Sequence, residues 1–264
     1  RIASAMRTGL RAPAMPVFMR TAVQPSSIAI AASEAVPTPA STMTGTVRFS
    51  MMRRMLWGLR IPRPEPIGAA AVRLAGADPF AYPTYLASRP PESEERAVVA
   101  LIAASFATGC RTHVLHLSAS SCLDSVDGSK GRVTAETCPH YLSFEAEEIH
   151  DGTTEFKCAP PIRDAGNRER LWEGLRAGVL SSVVSDHSPC IPELKAGSFF
   201  EAWGGIASVE LGLRAVWTEA RARGFGLEEV CRWMSEVPAR IAGLERKGAI
   251  AEGKDADLVL FEPD

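Results

Sequence analysis

Between Thr137 and Pro189 one pattern recurs three times: a short apolar run stops at a polar or proline-rich stretch. The stops are Thr137-Cys-Pro-His-Tyr141, Lys157-Cys-Ala-Pro-Pro-Ile-Arg163 and Val184-Ser-Asp-His-Ser-Pro189. Apolar runs bounded in this way predict buried strands, and in a parallel α/β protein the strand ends form the face where ligands bind. An acid at such an end, Asp186, is better placed for chemistry than for packing.

The flanking pattern supplies the helices. Ser88-Arg-Pro-Pro91 followed by Glu92, Glu94 and Glu95 predicts a helix start, with a capping serine, an early proline and acids at the positive dipole end. The apolar run Ala97 to Phe106 continues it, and Gly109 stops it. Thr112 to Ser118 reads as a buried strand, Cys122 to Gly131 as a link of at most two helical turns, and Arg132 to Glu136 as the next strand. Phe156-Lys-Cys158 is brief and runs into Pro160-Pro161, which cannot continue a ladder. Asp164 caps a helix from Asn167 to Ala177, with Leu171, Trp172 and Leu175 on one face and Gly178 closing it. Val179 to Ser185 predicts the strand that delivers Asp186. Ile206 to Arg223 and Leu227 to Glu236 predict amphipathic helices, and Gly248 to Phe261 two short strands around a glycine turn. Strands alternating with helices predict a parallel sheet of barrel type.

Composition changes this picture at one point. The 264 residues carry a net charge of −2, 46% hydrophobic and 7% aromatic residues, which gives no pull toward nucleic acid or membrane. No apolar run nears the roughly 18 residues of a membrane span. Six scattered cysteines without a Cys-x-x-Cys pair predict free thiols in a reducing, cytoplasmic setting. Yet residues 1–77 hold ten Arg, no Lys, seven of the eight Met and only Glu34 and Glu65 as acids, whereas 78–264 carry a formal −10. Residues 1–77 therefore read as a separate, atypical Arg-rich segment, poorly ordered or aberrantly translated; a targeting segment and a small domain are the alternatives. The chain also begins at Arg1, as a fragment would.

Six motifs then occur in order: His113-Val-Leu-His-Leu-Ser118, Glu136-Thr-Cys-Pro-His-Tyr141, Lys157-Cys-Ala-Pro-Pro-Ile-Arg-Asp164, Ser185-Asp-His-Ser-Pro-Cys190, Ala202-Trp-Gly-Gly-Ile206 and Gly253-Lys-Asp-Ala-Asp257. Together they closely resemble the allantoinase family of cyclic amidohydrolases, over residues 76–264. The resemblance implies a metal-dependent-hydrolase (β/α)8 TIM-type barrel with a small β-sandwich, of which 78–264 would be the later strands and 247–264 the sandwich remnant. It implies two zinc ions bridged by hydroxide and a carboxylated lysine, and opening of allantoin, a small-molecule substrate, to allantoate. Two cations suit that step, because they acidify bound water and polarise the carbonyl. Carried over by motif, His116 is implied as the sixth-strand ligand, and Asp186 as the eighth-strand ligand and general base. Ala159, Gly204 and Gly205 are implied as the wall that holds the substrate ring, and His140 as support behind the ligands.

Several of these residues also have plainer readings. His113 and His116 are three apart, so on a strand they face opposite sides, and His113 reads as a core contact. His187 points away from Asp186 and reads as loop support, Arg163 as one half of an ion pair, and Cys138, Cys158 and Cys190, which could suggest a thiolate zinc site, as scattered buried thiols. The chain also departs from the family. Its five histidines lie at 113, 116, 140, 150 and 187, so no His-x-His pair exists, and no lysine precedes Lys130. One His and one Asp cannot hold a zinc pair, since each ion needs about three protein ligands. The expectation is an incomplete barrel on a foreign N-terminus, catalytically dead, with exposed sheet edges that invite a homo-oligomer. Three functions stay open: allantoinase-type hydrolysis, dihydropyrimidinase- or dihydroorotase-type hydrolysis, and a metal-free scaffold.

Overall fold

The computed structural model describes residues 65–263, so the expectations for residues 1–64 lie outside the described residues. Inside the Arg-rich segment, α1 (Glu65–Arg73) is already helical and lies along α3. Among the described residues, regular structure is thus present ahead of residue 77.

Helix α2 (Tyr82–Ala87) precedes α3 (Pro91–Thr108), which starts with Pro90 as its cap and Glu92 and Glu94 in its first turn. Ser88 does not cap α3. It ends α2, and its hydroxyl donates to the Tyr85 carbonyl at 2.6 Å. Proline at 90 holds the extended backbone that the start of α3 needs, which leaves the serine to the turn before it. Gly109 closes α3 with φ 75°, a conformation that favours glycine.

The sheet holds β1 (Thr112–Val114), β2 (Val133–Thr137) and β3 (Ser182–Val183), parallel and in that spatial order. Helix α4 (Leu123–Gly128) joins the first pair; α5 (Pro139–Ser143) and α6 (Ala165–Arg176) join the second. Thr112 pairs with Val133 and Glu136 with Ser182. The outer strands are shorter than expected because the chain turns away at His116 (φ 40°) and Asp186 (φ 43°). Side chains on β2 alternate: Val133, Ala135 and Thr137 are buried, Thr134 and Glu136 half-buried. The core lies on the first face, where Val114, Val133 and Val183 meet Leu171, Leu175 and the Trp172–Phe225–Trp233 aromatic cluster.

Phe156-Lys-Cys158 forms no strand. A 3-10 turn covers Thr154–Phe156, and three buried hydroxyls hold the irregular backbone after it. Tyr85 donates to the Cys158 carbonyl (2.7 Å), Tyr141 to Pro160 (2.8 Å) and Tyr82 to Ile162 (2.7 Å). Asp164 caps α6 as expected, accepting from the Asn167 N–H at 2.9 Å. Helix α7 (Gly212–Ala222) starts later than expected, because Ile206 forms a parallel bridge to His187 instead. Helices α8 (Leu227–Cys231) and α9 (Val237–Ile241) form one run through a π-turn at Arg232–Glu236. The strands expected over 247–264 do not form within 247–263, where Ile250, Leu258, Val259 and Leu260 stay exposed.

Candidate functional site

The ends of β1, β2 and β3 converge on one cluster. His116 and Asp186 both hold left-handed backbone, which non-glycine residues rarely adopt and which costs about 1–3 kcal/mol each. In both places the turn comes where a strand has just ended, and it breaks the in-out alternation of side chains. From β2, the extended backbone at Cys138 continues the alternation onto the face of Thr134 and Glu136, where Cys138 is fully buried. Pro139 then starts α5 and brings in His140. One donor atom from each of Cys138, His140 and Asp186 lies within 4.8 Å of the others.

The electrostatics join His116 to this group. Burial, and after it nearby His116, lower the His140 pKa to about 3, so the ring is neutral at ordinary pH. Both ring nitrogens of His140 and the Nδ1 of His116 are buried without a hydrogen-bond partner among the described residues. Such orphaned groups cost about 1–3 kcal/mol each, and neutral imidazole nitrogens are what a cation takes as ligands. Desolvation raises the Asp186 pKa; His116 opposes the rise and Glu136 adds to it. Burial, then Asp186 and Glu136, hold the Cys138 thiol well above its ordinary range. The solvent-facing side of the cluster is Asp186, which is exposed. Imidazole nitrogens, a carboxylate and a thiol together fit a divalent cation of zinc type.

Glu94 sets the loop after His116. One carboxylate oxygen accepts from the Ser118 N–H (2.7 Å) and the Ala119 N–H (3.0 Å); the other pairs with Arg163 at 3.2 Å. Arg163 is therefore an ion-pair residue, as expected. His187 accepts from the N–H groups of Ser208 (3.1 Å) and Val209 (3.2 Å) through Nδ1, which supports the loop beyond Asp186. His113 stays outside the cluster, bonded to Thr134 (2.6 Å) and Glu136 (2.9 Å) on β2.

Ala159, Gly204 and Gly205 sit together beside the Asp186 loop. A Cβ on Gly204 would lie 3.9 Å from Lys157 and 4.0 Å from Ala159. The N–H groups of Ala159 and Gly204 make no backbone hydrogen bond among the described residues. Gly205 differs: its N–H donates to the Lys157 carbonyl at 3.0 Å, so it is not free for a ligand. A Cβ there would meet Ser188 atoms at 2.5 Å, including a backbone oxygen at 2.9 Å. Gly205→Ala is thus expected to destabilise the fold by about 1–3 kcal/mol, and Gly204→Ala by under about 0.5 kcal/mol, in urea unfolding. Equal costs would contradict this packing.

Lys157 is buried, donates to the Ala202 carbonyl and lies 5.7 Å from the Tyr85 ring centre. Burial, then Arg89 and Lys195, lower its pKa from 10.5 to about 8. The folded chain therefore releases this proton at lower pH than the unfolded chain, so between about pH 8 and 10.5 the unfolded chain binds more protons. Stability is expected to rise with pH across that window, and to rise less in Lys157→Met. Urea midpoints at pH 7.5 and 10 measure this; an equal rise in both proteins would refute it.

Cys138, read from the sequence as a scattered buried thiol in preference to a thiolate zinc site, is a member of the cluster. The period-2 pattern of β2, extended by one residue, was the available signal.

Residues 99–264 match the amidohydrolase family. The chain is 51% identical to an allantoinase of Streptomyces avermitilis over 69% of this chain and 42% of that protein. It is 49% identical to an allantoinase of Arabidopsis thaliana, over 71% of this chain and 40% of that one. Among solved structures, an L-hydantoinase (dihydropyrimidinase) from Arthrobacter aurescens superposes with a TM-score of 0.68 at 28% identity, covering 73% of this chain and 44% of that chain. The chain therefore spans about two fifths of the length of these relatives.

Proposed function

The chain belongs to the amidohydrolase family, and we propose that it carries the later-strand half of a centre that opens the cyclic amide of allantoin to give allantoate. The observation that carries this reading is the meeting of His116, His140 and Asp186 at the ends of three parallel strands, with imidazole nitrogens left unpaired among the described residues. His116, His140 and Asp186 are the residues that would hold a zinc-type cation. Such an ion, when bound, acidifies a water and polarises the ring carbonyl.

Each of the remaining groups has its own part. Asp186, raised in pKa and open to solvent, takes the proton of the attacking water and returns it to the departing ring nitrogen. The N–H groups of Ala159 and Gly204 hold the ring, while Gly205, with no side chain, lets the loop at Ser188 close behind it. His187 keeps that loop in place through Ser208 and Val209.

The 264 residues supply no His-x-His pair and no lysine before Lys130, so on their own they hold no complete zinc pair and turn over no allantoin. In this reading the sheet is part of a TIM-type barrel, and the exposed Leu258 and Leu260 belong to sandwich strands whose partners lie outside the described residues. The edges of β1 and β3, unpaired among the described residues, would then favour self-association.

Metal analysis together with hydrolysis of allantoin, hydantoin and dihydroorotate tests the reading. At most one ion per chain, no turnover, and weak binding of allantoin in preference to the other two rings are expected. Two ions with turnover would overturn the inactivity. Preference for hydantoin would favour the second reading, a hydantoinase-type ring pocket, which the superposition on the Arthrobacter aurescens L-hydantoinase supports.

A further inference from the structure

We propose that Cys138 is itself a metal ligand, so that Cys138, His140 and Asp186 form a sulfur, nitrogen and oxygen site for one zinc-type cation. This rests on the reading that a cation binds at these strand ends, and it adds a donor that the motifs do not assign.

Three observations carry it. First, the donors converge: one atom from each residue lies within 4.8 Å of the other two. Zinc bonds of roughly 2.0–2.3 Å place tetrahedral ligands about 3.4–3.7 Å apart, so closing the site needs movements of about an ångström. Second, His140 is almost wholly buried, and both of its ring nitrogens lack a partner among the described residues. Third, the local chain fixes the two inner donors. Cys138 is extended at the end of β2, and Pro139 starts α5 at once, so the Cys-Pro-His string turns both side chains toward the Asp186 loop.

The donor set also predicts the metal. A thiolate beside an imidazole and a carboxylate favours zinc over magnesium or calcium, which prefer oxygen donors. When the sulfur–metal bond forms, the thiol proton leaves to solvent, so uptake of one cation releases one proton from Cys138.

Cobalt(II) titration of the metal-stripped full chain tests the proposal, because cobalt bound to a thiolate absorbs strongly in the near ultraviolet. One cobalt per chain with that band is expected. The band should be lost in Cys138→Ser and kept in Cys158→Ser. A band that survives Cys138→Ser, or cobalt bound without any band, overturns the sulfur ligand but leaves the cation reading standing. No cobalt uptake at all overturns both. X-ray absorption of the zinc-loaded wild-type chain needs no variant. A sulfur neighbour at about 2.3 Å supports the proposal, and nitrogen and oxygen alone at about 2.0–2.1 Å refute it.

Discussion

Replacing Glu94 with alanine is expected to lower the unfolding free energy by about 3–5 kcal/mol, read from urea midpoints at constant slope. Glu94 and Arg163 are both almost wholly buried, with side chains 5% and 6% exposed. Removing the acid leaves a guanidinium in the core without its counter-charge, and Arg163 Nε already lacks a partner among the described residues. It also strips the acceptor from the N–H groups of Ser118 and Ala119. Glu94→Gln keeps an acceptor for those two groups and is expected to cost less, about 1–3 kcal/mol. Because Ser118 follows His116 by two residues, the alanine variant should also bind cobalt more weakly. A loss under about 1 kcal/mol for Glu94→Ala would show that the pair contributes little to the fold.

Trp172→Ala carries the second large effect, about 3–5 kcal/mol, from a cavity that the surrounding aromatics cannot fill. The indole stacks on Phe225 at 5.6 Å, meets Trp233 edge-on at 6.1 Å and lies beneath the Arg223 guanidinium at 5.0 Å. Its N–H donates to the Leu142 carbonyl at 3.0 Å, which ties α6 to the helix that carries His140. Thermal and urea unfolding measure the loss; a change below about 1.5 kcal/mol would mean that the cluster repacks. Trp172→Phe retains most of the contact area but loses the tie to Leu142, which makes it the milder comparison.

Local signals were legible where one residue's chemistry decides a local conformation. Asp164 caps α6 because a carboxylate three residues upstream accepts a free N–H, and Gly109 ends α3 because it takes positive φ without strain. Ser88 misled for a related reason: serine serves either side of a turn, and here its hydroxyl bonds back to Tyr85. The outer strands were overestimated because apolar runs record burial, whereas a ladder also needs a neighbour in register. Val179 to Ser185 is apolar enough for a long strand, yet only Ser182–Val183 pair as one. The expected strands of 248–261 show the same limit, since alternation at Leu258 and Leu260 finds no partner among the described residues.

By itself, the sequence determined the α/β order, the helix ends at Gly109 and Asp164 and the strand-end position of Asp186, because these follow from neighbouring residues and from periodicity. Only the tertiary structure decided that Cys138 and His140 join Asp186, that Arg163 belongs to Glu94, and that the Gly205 N–H is already taken by Lys157. Those pairings depend on how β2 and β3 lie side by side and how the backbone turns at two left-handed residues. Side chains far apart in the chain meet only after the sheet has set their distance and direction, and no local pattern encodes that meeting.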